Sequence, residues 1–128
     1  MFIHWGIYSV PAGRYNDKVM ESDSEWFQAY FRMPNSDYIK FAEQFNPIEF
    51  DAEKWVLKAV EIGMSYIIFS AKSYDGFAMF NSAVSDYNIV KQTPFARDPL
   101  KELATACAKY NIKLGLYYSH NLDWHEKD

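Results

Sequence analysis

One unit of the sequence occurs twice, and it consists of a helix, a stop signal and an apolar strand. In the first copy, Asp51 is the expected N-cap of a helix over residues 51–62, and a strand follows over residues 65–70. The second copy begins 47 residues later, with a helix over residues 98–109 and a strand over residues 112–118. Helices that alternate with strands predict right-handed β-α units and a parallel sheet, so the fold class is α/β.

Two further elements extend this pattern towards the N-terminus. A strand is predicted over residues 2–4 and a helix over residues 36–45. The apolar residues of this helix recur with helical spacing, at Tyr38, Phe41, Ala42 and Phe45. A turn-rich aromatic stretch covers residues 9–33, and a long loop is expected over residues 71–97. A loop of that length inside a compact domain is usually functional.

Three parallel strands are too few for a closed barrel. A (β/α)8 barrel usually needs about 250 residues, whereas this chain has 128. The sequence also begins inside a predicted strand and stops without a closing element, so we expect residues 1–128 to form one partial, incomplete TIM-barrel domain. Functional residues of such sheets lie at the carboxyl ends of the strands. Here those ends are His4-Trp5, residues 71–75 and residues 117–120.

The composition excludes several classes of protein. With 49% apolar and 23% charged residues, the chain is not disordered, collagen-like or a coiled coil. No apolar run reaches the roughly 18 residues of a membrane span. The net charge of −4, with scattered Lys and Arg, argues against a nucleic-acid partner. The aromatic content of 19% is high and suits a site where rings stack on sugars.

Motifs that would indicate a phosphate, metal or nucleophile site are absent or weak in this sequence. No glycine-rich phosphate loop is present, and no cofactor is expected. His120, Asp123 and His125 form one weak cluster near the end of the chain, from which we predict no metal site. Cys107 lies on the apolar stripe of a predicted helix and is expected to be a small buried hydrophobe.

Local evidence leaves other residues open between structure and function. His4 lies at a predicted strand end, where a histidine is either part of the core or a ligand-binding residue. Glu25 is either a solvated residue at the start of a helical turn or a carboxylate that binds sugar hydroxyls beside the Trp26 ring. Side chains alternate between the faces of a strand, so only one of Tyr117 and Tyr118 can face the inside of a barrel.

Short motifs along the whole chain occur in the order and spacing of one known family. They are Phe2–Gly13, Glu25-Trp26, Phe45-Asn46-Pro47 with Phe50-Asp51-Ala52, Asp75–Phe80, Ser85–Asn88, Arg97-Asp98-Pro99 and Leu116–Ser119. Together they resemble the α-L-fucosidases of glycoside hydrolase family 29. The resemblance corresponds to the front part of that family's catalytic barrel.

The resemblance implies a retaining exo-hydrolase that removes terminal α-L-fucose. In the family, the histidine of the first motif holds fucose hydroxyls, and that position is His4 here. The Glu-Trp pair, here Glu25 and Trp26, lines the same pocket. A tyrosine of the Tyr-Tyr-Ser strand end also lines it, and we assign this role to Tyr117 rather than Tyr118.

The sequence departs from the family at two points. Ser73 and Tyr74 replace two adjacent histidines that touch fucose, although their hydroxyls can still hydrogen-bond a sugar. The family's nucleophile and acid/base positions lie beyond Asp128, whereas a retaining mechanism needs two carboxyl groups about 5–5.5 Å apart. The catalytic residues are therefore not identified. The candidate carboxylates inside the chain are Glu25, Asp75 and Asp123.

We therefore predict a fucose-removing glycoside hydrolase that acts as an oligomer or as part of a longer chain on a fucosylated glycan or small fucoside. Its substrate-binding residues are His4, Glu25, Trp26, Ser73, Tyr74 and Tyr117. The alternative is a non-catalytic carbohydrate-binding fragment of the same fold. A third hypothesis, a barrel hydrolase for another sugar, depends only on Ser73 and Tyr74.

We also expect a partial barrel of this kind to self-associate. Its strand edges are open, and its inner face, with Ile67 and Phe69 among the candidates, would meet water. Homo-oligomers favour closed symmetry, so we expect a closed assembly. No signal peptide is visible, and the sequence does not decide whether the parent protein is secreted, periplasmic or lysosomal.

Overall fold

The computed structural model describes residues 1–126 and contains a three-stranded parallel sheet and a two-stranded hairpin. The strands are β1 (Phe2–Ile3), β2 (Arg14–Tyr15), β3 (Lys18–Val19), β4 (Tyr66–Lys72) and β5 (Lys113–Tyr118). The parallel sheet has the order β1-β4-β5, and β2 pairs with β3 in the hairpin. The three predicted parallel strands are confirmed, with ends that differ by at most two residues.

The helices of the described residues lie between these strands. They are α1 (Phe27–Tyr30), α2 (Asn35–Tyr38), α3 (Lys40–Gln44), α4 (Ala52–Glu61), α5 (Ile89–Gln92) and α6 (Pro99–Lys109). The two repeated helices are confirmed as α4 and α6. Each begins at an aspartate, Asp51 or Asp98, whose carboxylate accepts a backbone N–H of the first turn at 3.0 or 2.9 Å.

The helix predicted over residues 36–45 is interrupted. It forms as α2 and α3, separated at Ile39, because the N–H of Ala42 bonds to the Ile39 carbonyl three residues earlier, at 2.9 Å. Its predicted apolar face is retained, since Tyr38, Ala42 and Phe45 are buried.

The loop predicted over residues 71–97 is shorter than expected. β4 continues to Lys72, and the chain then turns back so that Lys72 and Ala78 form an antiparallel bridge. The loop also holds α5, which Asn88 caps by accepting two backbone N–H groups at 3.0 and 3.1 Å. This folding ties the end of β4 to the residues that follow it.

The helices cover one face of the sheet and form the core there. Ile67 and Phe69 of β4 are 0% exposed, in one apolar cluster with Val56 of α4 and Leu103 of α6. The expectation that Ile67 and Phe69 would meet water is therefore wrong. β4 is apolar on both faces, so the sequence pattern does not tell which face the helices cover. Cys107 is buried as predicted.

The opposite face of the sheet carries a different set of residues. The register places Ile68 beside Phe2 and Gly115, and Ser70 beside Tyr117. The Ser70 hydroxyl donates to the Ile3 carbonyl at 3.1 Å. In residues 1–126, no helix combines the length and apolar character that a membrane span requires.

Candidate functional site

The carboxyl ends of the three parallel strands meet at one edge of the sheet. His4 follows β1, Tyr74 follows β4, and Tyr117 lies near the end of β5. The ring centre of Tyr117 lies 6.3 Å from that of His4 and 6.4 Å from that of Tyr74. The structure therefore brings these three predicted residues together.

Glu25 and Trp26 join this group from a short 3₁₀ turn, Ser24–Trp26. The Glu25 Oε1 atom lies 3.7 Å from His4 Nδ1, and the Glu25 side chain is 16% exposed. The Trp26 ring centre lies 4.9 Å from that of Tyr74. Five of the six residues predicted to bind substrate thus lie next to one another.

Ser73 is the sixth of these residues, and it is buried. Its carbonyl accepts the Gly76 N–H at 3.2 Å, which closes a turn directly after β4. The next residue, Tyr74, has its ring centre 6.4 Å from that of Tyr117. The role of Ser73 in substrate binding stays a prediction.

A cleft of about 320 Å³ lies beside His4 and Glu25. Its lining residues are His4, Tyr8, Ser9, Asp23, Ser24 and Glu25. Apart from His4 and Glu25, they were not identified from the sequence. The polar run that ends in Asp23-Ser24, immediately before Glu25, is the signal that could have indicated them. Carboxylates and hydroxyls on one cleft offer both acceptors and donors to a polyhydroxyl ligand.

A second cleft lies beside Tyr117. The second cleft, of about 390 Å³, is lined by Tyr74 and Tyr117–Leu122. The neighbouring Tyr74 hydroxyl, together with burial, raises the pKa of Tyr117 to about 12. A tyrosine is a neutral phenol at physiological pH even at its ordinary pKa of about 10, so the Tyr117 hydroxyl can accept or donate a hydrogen bond.

Asp75 lies beneath these residues, completely buried. Its carboxylate accepts the Tyr38 hydroxyl at 2.8 Å and the Phe77 N–H at 3.1 Å. Burial raises the pKa of Asp75 to about 6, although both hydrogen bonds oppose that rise. Asp75 therefore links α2 to the loop after β4, and it does not face the clefts.

The residues after β5 fold back over the end of β4. The Asp123 Oδ2 atom lies 2.5 Å from Lys72 Nζ, and the Trp124 N–H donates to the Tyr74 carbonyl at 2.8 Å. A Cβ atom at Gly76 would lie 2.2 Å from Asp123 Oδ1, so only glycine allows this approach. The contact places Trp124 beside the site, a residue that the sequence analysis did not single out.

The three side chains of the weak His-Asp-His cluster are engaged separately. Asp123 pairs with Lys72, the His125 ring stacks on Tyr87 at 3.7 Å, and the His120 ring lies 5.0 Å from Tyr118. Within residues 1–126, no group of three or more His, Cys, Asp or Glu side chains is arranged to hold a metal ion.

Another groove of the described residues lies between α4 and α6, with a volume of about 450 Å³. Four of its charged side chains pair with one another. Arg97 contacts Glu102 at 2.5 Å and Lys109 contacts Glu53 at 2.5 Å. None of the six residues predicted to bind substrate lines this groove.

Comparisons with known proteins point to one family. The family model described as alpha-L-fucosidase matches residues 1–128. The tissue alpha-L-fucosidase of Rattus norvegicus is 36% identical over 93% of this chain, and that of Homo sapiens is 34% identical over 97%. The chain spans only 27% and 28% of the lengths of these two relatives.

Solved structures give the same result. Alpha-L-fucosidase AlfC from Lactobacillus casei, in complex with alpha-L-fucose product, matches 98% of this chain with a TM-score of 0.96 and 48% identity. A GH29 alpha-L-fucosidase from Bacteroides thetaiotaomicron, a trapped covalent intermediate, matches 96% with a TM-score of 0.91 and 36% identity. The chain covers 39% and 28% of those two chains.

Proposed function

Because the chain belongs to the alpha-L-fucosidase family, we propose that it forms the front part of a (β/α)8 TIM barrel and supplies the sugar-binding half of a fucosidase active site. Three parallel strands followed by loops at their carboxyl ends are what three of eight barrel units would contribute. The chain spans 27% of the Rattus norvegicus relative and 39% of the Lactobacillus casei enzyme, so it corresponds to only part of either protein.

The single observation that carries the proposal is the meeting of His4, Glu25, Trp26, Tyr74 and Tyr117 at one edge of the sheet. A carboxylate, an imidazole and a neutral phenol can accept and donate hydrogen bonds to the hydroxyls of α-L-fucose. The Trp26 ring supplies a flat apolar face for the rest of the sugar.

The reaction that we propose is retaining hydrolysis of a terminal α-L-fucoside. The Bacteroides relative was trapped as a covalent intermediate, which supports this stereochemistry. Of the three candidate carboxylates, Glu25 lies at the cleft, beside Asp23, whereas Asp75 is buried and Asp123 pairs with Lys72. Because the family's nucleophile and acid/base positions have no match in this sequence, we propose that these two carboxylates come from further chain or from another copy.

The positions of these carboxylates also favour the second candidate function, a carbohydrate-binding fragment without activity. Turnover of 4-nitrophenyl α-L-fucopyranoside by the purified chain, with Glu25→Gln as the matched variant, separates the two. Steady turnover that Glu25→Gln abolishes supports the hydrolase. Binding of L-fucose without turnover supports the binding fragment. Absence of both contradicts the proposed function.

Self-association would let one copy complete the site of another. β1 and β5 are the edge strands of the sheet, and Phe2 and Leu116 are 46% and 54% exposed. Open edges and exposed apolar side chains recruit partners. Sedimentation at micromolar concentration should show a closed oligomer. A monomer that melts cooperatively would show that the chain covers its own core.

A further inference from the structure

Three aromatic rings form a continuous surface beside the proposed fucose site. The ring centre of Trp124 lies 5.5 Å from that of Trp26 and 5.7 Å from that of Tyr74, and Trp26 and Tyr74 are 4.9 Å apart. We call Trp26, Tyr74 and Trp124 the aromatic wall. Each ring comes from a different segment, so the wall exists only in the folded chain.

Two rings of the wall, Trp26 and Tyr74, belong to the proposed fucose site, and Trp124 packs against both of them. Tyr74 contacts both tryptophans and also lies 6.4 Å from Tyr117, whose ring is 6.3 Å from His4. The wall therefore continues outwards from the residues that we expect to hold fucose. A group attached to fucose would leave the His4–Glu25 cleft beside this surface.

The exposure of the wall distinguishes it from the core. Trp26 is 38% exposed, and Tyr74 and Trp124 are half-buried. The core aromatics Phe27 and Phe69, in contrast, are 0% exposed. Aromatic rings that stay partly exposed next to a polar cleft are typical of ligand sites, where they supply apolar contact and the polar groups fix orientation.

Polar contacts behind the wall hold it in place. The Trp124 N–H bonds to the Tyr74 carbonyl, and Asp123 pairs with Lys72 of β4. The Asn35 side chain donates to the His125 carbonyl at 3.3 Å and accepts from Gln28 at 2.5 Å, which links α1 and α2 to this segment. A surface held in its binding geometry loses little entropy when a ligand stacks on it.

We propose that Trp124, the ring of the aromatic wall that lies outside the predicted fucose-binding residues, stacks on the group to which fucose is attached, a sugar ring or an aryl group, and is a specificity-determining residue of this second subsite, while Trp26 and Tyr74 contact fucose itself. The inference rests on the proposed function, because the wall has this meaning only if fucose occupies the His4–Glu25 cleft. Flat rings favour the apolar face of a pyranose or an aromatic aglycone over a charged or extended chain.

The test compares two ligands on the full chain by calorimetric titration, L-fucose and 4-nitrophenyl α-L-fucopyranoside. We expect the unmodified chain to bind the aryl fucoside more tightly than L-fucose. Trp124→Ala should weaken the aryl fucoside about tenfold and leave L-fucose unchanged. Tyr66→Ala is the matched control, because Tyr66 is an exposed aromatic at the opposite end of β4.

Every other outcome contradicts either the second subsite or the proposed function. Equal weakening of both ligands by Trp124→Ala would place Trp124 in the fucose site, and no change in either would remove it from binding; both results contradict the second subsite. If Trp124→Ala fails to fold by circular dichroism, Trp124→Leu keeps the bulk without the ring and gives the same readout. If the unmodified chain does not bind L-fucose, the proposed function is wrong, and the second subsite falls with it.

Discussion

The same strands form both the helix-covered face of the sheet and the edge where their carboxyl ends meet. The covered face buries apolar side chains, whereas the carboxyl ends bury polar and ionisable ones. On the covered face, Ile67 and Phe69 are enclosed by apolar residues of α4 and α6. At the carboxyl ends, Asp75 is fully buried with a raised pKa and Glu25 approaches an imidazole. The first region supplies stability, and the second holds polar groups at a cost in stability.

Two buried tyrosines near the carboxyl ends of the strands illustrate this difference. Tyr38 donates its hydroxyl to Asp75 at 2.8 Å. The Tyr8 hydroxyl is buried as well, near the Ser70 side chain, but no described residue meets it with full hydrogen-bond geometry. A buried polar group without a well-formed hydrogen bond lowers the stability of the fold. The carboxyl ends of the strands therefore contain buried polar groups, whereas the covered face contains buried apolar side chains.

The largest expected effect tests the covered face. Phe69→Ala should lower the free energy of unfolding by about 3–5 kcal/mol, because it opens a cavity in the apolar cluster. Leu116 is the matched control, since it lies beside Phe69 in the sheet register but is 54% exposed. Leu116→Ala should cost less than about 1 kcal/mol. Urea denaturation measures both, and similar losses would contradict this description of the core.

The next effect concerns Asp75 and pH. Its pKa is raised from 3.8 to about 6, so the folded chain holds this proton more tightly than the unfolded chain does. Stability is therefore lost as the pH rises from about 4 to about 6, by at most roughly 3 kcal/mol. Asp75→Asn has no proton to lose, so this loss should disappear from urea denaturation curves. The same slope in both proteins would show that Asp75 is not the group responsible.

The smallest effect compares the two tyrosines. Tyr38→Phe leaves the buried Asp75 carboxylate without its hydroxyl donor and should cost about 1–3 kcal/mol. Tyr8→Phe removes a hydroxyl that makes no well-formed hydrogen bond in the described chain, so the free energy of unfolding should change less than in Tyr38→Phe. Thermal melts at neutral pH distinguish the variants. A larger loss for Tyr8→Phe than for Tyr38→Phe would reverse the comparison.

Local signals predicted most of the fold. The capping aspartates Asp51 and Asp98 and the apolar spacing located α4 and α6 within one residue. The break at Ile39 was not predicted, because a tightened turn leaves the apolar spacing unchanged. The orientation of Phe69 was also missed, because a strand that is apolar on both faces carries no period that selects one of them.

The site was less predictable than the fold. Motif positions predicted His4, Glu25 and Trp26 as site residues. The parallel sheet accounts for the approach of His4 to Tyr117, whereas Glu25 and Trp26 reach them from a 3₁₀ turn. Trp124 was missed because its place depends on a long-range contact, the packing of Asp123 against a glycine after β4. No local pattern reveals such a contact.

The most direct test of the central claim is the affinity of the chain for L-fucose, measured by calorimetric titration before and after His4→Ala. A hydrogen bond to a neutral partner is worth on the order of 1 kcal/mol, so the dissociation constant should rise at least about fivefold. Tyr66→Ala is the control, because Tyr66 is an exposed aromatic residue at the opposite end of β4, and it should leave the affinity unchanged. An unchanged dissociation constant in His4→Ala would contradict the proposed fucose site.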